Sequence, residues 1–518
     1  MRSAVRAALA AGFFVLATAV MTYPLVVRAW DTVPFRIDPL LLTWTLDWEL
    51  HRLLSHPLAL FDADIFWPYH GTLAYSDLAL PDLLSFAPVE LLTGNPILAF
   101  NVTLFVVLAS SGWTAYLLAR RLIGAELPSI GAGILFAFCQ YRWGQYVHLQ
   151  VMSTVWIPLA FLFWDRFLSA NRQARPSPGP HDSFKPAALT VLCLVLQALS
   201  SFYLGLFLFV SLALYAGVWL WRSGPTPARR EWLTLALYGL AGGCVLAPFA
   251  WPYFQAERSL GFVRTLRDVT IGGAALNAFL RPAAGSLVYS RLLPLHVWTA
   301  SPSLPIDEEA FFPGIVALAL VALGCWADWR KGARRYLWLA IAAAVLSLGP
   351  FLSIQPDLHT PLPLPYLVLY YVLPGFRSIR LPSRLAIFAF LWLGMLVALG
   401  LRWLRPRWRA AVPVGLGLLL MDNLAAPLPA LAVPVGKDIP AVYQWLAQQP
   451  PGAIVEFPIA PSRYDESTYA TLAGYEYFSI YHRHPSVLGY SGFAPPLYFE
   501  LIDRAPNFPD LRTISFLR

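Results

Sequence analysis

Residues Arg28 to Pro96 read RAWDTVPFRIDPLLLTWTLDWELHRLLSHPLALFDADIFWPYHGTLAYSDLALPDLLSFAPVELLTGNP. Nine carboxylates (Asp31, Asp38, Asp47, Glu49, Asp62, Asp64, Asp77, Asp82 and Glu90) stand against three arginines, a local charge of −6 in a chain whose formal total is +8. Trp30, Trp44, Trp48, Phe61, Phe66, Trp67 and Tyr69 are interleaved among them, ring types that gather at membrane–water interfaces. Apolar runs flank the stretch on both sides, so it reads as a long insertion held between membrane segments. Insertions of this length are usually functional rather than connective.

The surrounding chain supports that reading. Its 518 residues are 58% hydrophobic and 13% charged, with mean hydropathy +0.57, whereas soluble domains carry about 25% charged residues. Cys139, Cys193, Cys244 and Cys325 all fall in apolar runs without paired spacing, which suits small core residues better than disulfides or metal ligands. A pI of 9.3 could point to nucleic acid, but the arginines cluster at membrane-flanking ends and fit the positive-inside rule instead. The run Ala7 to Val27 is longer than a signal h-region and long enough to cross the hydrocarbon core, so it is expected to be an uncleaved first span.

Further apolar segments recur at roughly 97–119, 127–140, 151–168, 187–202, 203–221, 233–254, 311–329, 336–354, 384–401 and 411–432. With the first, about eleven spans are expected. Alternate connectors then hold Arg2 and Arg6; Arg120 and Arg121; Arg166, Arg172, Arg175 and Lys185; Arg222, Arg229 and Arg230; Arg330, Lys331, Arg334 and Arg335; and Arg402, Arg405, Arg407 and Arg409. These nineteen basic residues in short connectors face twelve in the longer opposite loops before residue 437. The rule places the N-terminus inside and the acidic loop and C-terminal segment outside.

Three outer features accompany the acidic loop. Tyr141-Arg-Trp-Gly-Gln-Tyr-Val-His148-Leu-Gln150 is a short polar turn between the third and fourth spans. The loop from Gln255 ends in Asp307-Glu308-Glu309, whose acids read as span-boundary residues. A third loop holds an apolar patch, Leu367 to Leu373, too short to cross and expected to be re-entrant or interfacial. It ends in Arg377, Arg380 and Arg384. Two domains are expected: a transmembrane part, 1–435, and a small α/β domain, 436–518. In the second, Val442, Trp445 and Leu446 have helical spacing and Ala453 to Ile459 reads as a strand. Asp422, at the outer end of the last span, is functional if it lies deep in the membrane and ordinary if the span ends at Met421.

Carboxylates and arginines on one outer face suit a particular chemistry. Transfer of a group from a lipid phosphate to a hydroxyl needs a carboxylate to take the proton and cations to hold the departing phosphate. Arg36-Ile-Asp38-Pro soon after the first span resembles the GT-C glycosyltransferases. Leu60-Phe-Asp-Ala-Asp-Ile-Phe-Trp-Pro68, Thr72-Leu-Ala-Tyr-Ser-Asp77, His148-Leu-Gln150 and Phe376-Arg-Ser-Ile-Arg-Leu-Pro-Ser-Arg384 resemble bacterial YfhO-like and glycosyltransferase-39-like membrane proteins.

The resemblance implies an all-α polytopic membrane fold and an inverting transfer from a polyprenyl-phosphate sugar to a glycan, lipid or protein acceptor, with membrane lipids as partners and no nucleic acid. The location implied is the bacterial plasma membrane. Asp38 matches the first-loop base, although Asp-Pro before Leu-Leu-Leu also reads as a helix cap. Asp77 is a second-acid candidate. Arg377, Arg380 and Arg384 would hold the donor phosphate, or snorkel at a helix end. His148 and Gln150 would position substrate, or serve as interfacial polar residues. Asp62 and Asp64 form a D-x-D pair that could hold magnesium or manganese, or a solvated turn. The rival readings are a lipid-linked glycan transporter, which would want ionisable groups at mid-membrane depth, and a non-catalytic scaffold on the same fold.

Overall fold

The computed structural model describes residues 2–170, 181–222, 227–289, 308–408, 410–459 and 466–517. Arg172, Arg175, Asp307 and Arg409, named above, lie outside these. All eleven apolar runs contain helix: α1 (Arg2–Met21), then, past the first loop, Pro96–Ile123, Glu126–Phe138, Trp156–Ser169, His181–Ser200, Phe202–Arg222, Arg229–Leu260, Ile315–Asp328, Arg334–Ser347, Ala386–Leu404 and Ala411–Asp422. Among the described residues six helical segments are long and apolar enough to cross a membrane, among them Leu149–Ser169 and Pro382–Leu404; Ile315–Asp328 and Ala411–Asp422 are apolar but shorter.

The helix Ala386–Leu404 is the hub. It packs against Glu126–Phe138, Ile315–Asp328 and Arg334–Ser347, and almost every one of its residues is buried. Trp392 on its inner face meets the rings of Phe161, Tyr215 and Tyr336 from three other helices. Gly324 and Gly400 let two of these helices approach closely, since a Cβ on Gly400 would lie 2.3 Å from the Leu320 carbonyl oxygen. By contrast Arg229–Leu260, interrupted by Pro248 and Pro252, lies at the rim with nearly all of its apolar length uncovered.

The first loop folds as a structured cap. Helix α2 (Asp38–Ser55) starts at the Asp-Pro step, with proline in the first turn where its missing N–H costs nothing. Trp44 donates to Asp64 at 3.0 Å and Trp48 to the Leu60 carbonyl at 2.9 Å, pinning the 60–64 turn to one side of α2. Trp44, Trp48 and Phe66 are therefore core residues, not the interfacial anchors expected from their type, the indole N–H groups of Trp44 and Trp48 finding partners inside; Trp30 and Trp67 are exposed. The loop is tied down at its start as well. Asn101 donates to the carbonyls of Ala29 and Thr32, and Thr32–Val33 pairs antiparallel with Leu431–Ala432.

The third loop is a two-stranded hairpin, Phe351–Gln355 with Leu358–Pro363, followed by a short helix, Tyr366–Val372, which buries Tyr366 and Tyr370 and exposes Val368, Tyr371 and Val372. Beyond the last span the chain forms Ala441–Leu446, Glu466–His482, Pro496–Arg504 and Leu511–Leu517. The expected strand at 453–459 pairs at one residue only, Ile454 with Ser486 in parallel. Glu466–His482 lies along α2, so the C-terminal segment roofs the first loop.

Asp422 lies at the end of its helix and not in mid-span. One carboxylate oxygen accepts from Tyr289 and the other from the amides of Val316 (3.1 Å) and Ala317 (3.2 Å). It thus caps the positive end of Ile315–Asp328.

Candidate active site

Asp38 opens α2, but its side chain turns away from the helix. Oδ2 lies 3.4 Å from His148 Nε2, and Oδ1 accepts from the Tyr490 hydroxyl at 3.3 Å. The cap reading of Asp38 therefore does not describe what its carboxylate touches. His148 comes from the polar turn between two spans. That turn is rigid because fully buried Arg142 donates to the Phe136 carbonyl (3.1 Å), the Met152 carbonyl (2.6 Å) and the Thr154 hydroxyl.

From His148 a chain of contacts runs onward. Its Nδ1 is 3.0 Å from Gln145 Oε1, and Gln145 Nε2 donates to Glu308 at 2.8 Å. Glu308 faces the Arg384 fork at 2.7 and 3.4 Å, and Arg384 donates to Tyr203 at 2.8 Å. Burial pushes the Glu308 carboxyl up, but the charges of Arg384 and His148 and the hydrogen bonds from Arg384 and Gln145 outweigh it and hold the group at about 2. Glu308 is thus an ionised, acceptor-only group at any working pH. The fully buried Tyr141 hydroxyl, which shares the surroundings of Glu308 and Arg384, has no hydrogen-bond partner.

Asp77 lies at the amino end of Phe202–Arg222. Burial pushes its carboxyl up to about 6, while the Arg384 charge, the Phe202 amide and the Ser201 hydroxyl draw it down. Asp77 and Asp38 are thus joined to one network by way of Arg384. Gln150 sits two residues beyond His148, in the short helix Leu149–Met152, its Oε1 buried and unpartnered.

The three arginines separate. Arg384 is occupied by Glu308 and Tyr203. Arg377 and Arg380 are exposed, and the Arg377 carbonyl receives the Arg264 amide at 3.2 Å. Arg264, unmarked in the sequence, is the neighbour that matters. It donates to the Gly492 carbonyl at 2.8 Å and lies 4.0 Å over the Phe493 ring, with Nε buried and unpartnered. Burial first, and then the Arg380 charge, lower its pKa from the ordinary value. The Arg380 charge acts on Arg264, and an anion beside the two would be favoured.

The D-x-D pair diverges. Asp62 is exposed, accepting from the Gly71 amide at 2.9 Å beside His70. Asp64 points inward to Trp44, and burial pushes it up to about 6 against the Arg483 charge. The segment is a turn and not an extended strand, so Asp62 turns to the Gly71 amide and Asp64 to Trp44, and the pair does not converge on one ion. Among the described residues no group of three His, Cys, Asp or Glu side chains could hold a metal ion. These residues do not fit a divalent cation, and no step is assigned to one.

Neutral Gln145, Tyr203 and Tyr490 carried no sequence signal, and Glu308 had been read as a boundary residue. Gln145 lies inside the polar turn already singled out, which was the available hint.

No family model matches the chain, and no curated protein matches it either. Among solved structures, the apo-form crystal structure of the Archaeoglobus fulgidus oligosaccharyltransferase superposes with a TM-score of 0.51 at 11% identity, over 93% of this chain. The chain covers 64% of that protein's length. The fold is therefore that of an all-α polytopic membrane protein of GT-C-like architecture.

Proposed function

We propose that this multi-pass membrane protein is a GT-C-type glycosyltransferase that moves a sugar from a polyprenyl-phosphate donor to an acceptor hydroxyl at the outer face of a bacterial plasma membrane. One observation carries the reading. Tyr490 touches Asp38, while Gly492 and Phe493 on the same strap touch Arg264. These residues lie within about 10 Å of backbone, so the Asp38 carboxylate and the Arg264 guanidinium border one short segment, which supports placing acceptor and donor phosphate beside it. The likeness to an oligosaccharyltransferase supports the fold on which such chemistry would run.

In this reading Asp38 takes the acceptor's proton as its O–H bond breaks, and the freed oxygen bonds to the anomeric carbon. The carbon–oxygen bond to phosphate breaks on the opposite side, and its electron pair leaves with the lipid phosphate. Arg380 and Arg377, joined by Arg264, hold the growing charge. A single displacement inverts the anomeric centre. Arg384 serves the network around Glu308 and not the phosphate, and Asp77 stands behind it.

The test is incubation of the protein in liposomes with a panel of radiolabelled polyprenyl-phosphate sugars. Wild type should consume one donor and form the inverted glycoside, and Asp38→Asn should not. Consumption of no donor, or equal consumption by Asp38→Asn, would overturn the assignment.

A further inference from the structure

The contacts between Asp38 and Glu308 determine where protons can reside. Ionised Glu308 only accepts, so Gln145 must present its NH₂ group to it. That leaves Gln145 Oε1, an acceptor, 3.0 Å from His148 Nδ1. The backbone cannot relax this arrangement, because His148 N–H bonds to the Gln145 carbonyl at 2.9 Å and Gln145 N–H to the Arg142 carbonyl at 3.1 Å. Gln145 is also fully buried, so its amide has no water to turn toward.

We propose that Glu308, acting through Gln145, is a positioning residue that keeps the proton of neutral His148 on Nδ1 and turns a bare Nε2 toward Asp38. The second ring nitrogen sets the first, as in other histidine sites where a hydrogen bond at one nitrogen fixes the tautomer. The inference rests on the transferase reading only for its catalytic consequence. When His148 is neutral, no proton lies between Nε2 and Asp38 Oδ2, and the pair can take up one. The proton released by the acceptor hydroxyl at Asp38 is then shared onto Nε2, giving an imidazolium–carboxylate pair as the glycosidic bond forms and the phosphate leaves.

Asp38 is faced by His148 and by Tyr490, behind which stand Glu476, bonded to the Tyr490 amide, and the Tyr469 ring at 5.2 Å. His148 is faced by Asp38, Gln145 and, through Gln145, Glu308; Glu308 is faced by Arg384 and Tyr141.

The experiment uses the full chain with ¹⁵N-labelled histidine in nanodiscs. Long-range proton–nitrogen spectra are recorded between about pH 5 and 9, with His148 assigned through His148→Gln. Wild type should show neutral His148 protonated at Nδ1. Gln145→Met leaves the Glu308–Arg384 pair whole and removes the acceptor at Nδ1, so the proton should move to Nε2, where Asp38 accepts it. Glu308→Gln should give a mixture of tautomers; if that variant does not fold, Gln145→Met alone decides. In the liposome assay Gln145→Met should lower kcat about tenfold and leave donor KM unchanged. An Nε2-protonated wild type, or a Gln145→Met spectrum identical to it, would overturn the inference. The tautomer is read without turnover, so an inactive wild type showing the Nδ1 tautomer would count against the transferase reading and leave the positioning role standing.

Discussion

Asp38 and Tyr490 are separated by 452 residues of chain, and their side chains meet at 3.3 Å. The carboxylate at the start of the first loop is therefore completed by the C-terminal segment, and the first prediction follows from its position. Asp38→Asn keeps the size of the side chain but cannot take a proton. Turnover should drop by roughly 10²–10⁴-fold, the usual range for lost acid–base catalysis, with the melting temperature little changed. Full turnover in Asp38→Asn would reduce Asp38 to a structural partner and move the search for the base to Asp77.

The arginines should divide into two classes. Arg264→Gln and Arg380→Gln should each weaken lipid-phosphate binding by about 10–100-fold, since a hydrogen bond to a charged group contributes about 1.5–3 kcal/mol. Lysine at either position should restore only part, keeping charge without the fork. Arg384→Gln strands Glu308 and should appear mainly as lost stability. Isothermal binding of a short-chain polyprenyl phosphate, set beside melting curves, separates the classes; unchanged binding in both Gln variants would remove Arg264 and Arg380 from the site.

Glu49 gives a pH-dependent stability. Burial, with a smaller push from Asp82, raises its carboxyl from the usual value to about 8 against the pull of the Ala79 amide. A raised acid is stabilising while protonated, so its contribution is complete below about 4.5 and is lost as pH climbs through 8. Glu49→Gln still accepts from Ala79 but does not ionise. Its melting temperature should stay flatter than wild type between pH 5 and 8.5, and parallel curves would contradict the assignment.

Gly314 is held at φ +96°, and a Cβ there would lie 2.1 Å from Asp422 Oδ2. Gly314→Ala should destabilise by about 1–3 kcal/mol from backbone strain alone, and more once the Asp422 cap is displaced. In a double-mutant cycle with Asp422→Ala the two losses should be strongly non-additive. Simple additivity in melting would show that the two positions do not interact.

Orientation is open to labelling. Gln448 and Trp408 are both exposed and lie on opposite sides of the last span. A membrane-impermeant thiol reagent applied to spheroplasts should reach cysteine at 448 and miss it at 408. The reverse pattern would invert the topology and move the site to the other face.

The architecture was largely readable because apolar runs of this length leave a chain few options in lipid. Every run expected to span contains helix, and Asp38 and His148 were legible as polar residues stranded beside spans. Other features needed three dimensions. Glu308 looked like a boundary acid because its partner Arg384 lies 76 residues on. Gln145 is neutral and left no charge pattern. Asp62 and Asp64 looked paired because sequence spacing does not say which way a side chain faces. Trp44 and Trp48 looked interfacial because residue type alone cannot reveal that Asp64 and the Leu60 carbonyl wait for their indole groups.

The contact between the first loop and the strap also sets an order of events in biosynthesis. Synthesis at about 5–20 residues per second puts on the order of half a minute or more between the emergence of Asp38 and that of Tyr490. For that whole interval the acidic loop and the bundle exist without their roof, and Asp38 lacks the hydroxyl that flanks it in the finished protein. A ribosome-bound chain halted before residue 490 carries every span but an incomplete site, so competence is acquired last, after membrane insertion is over.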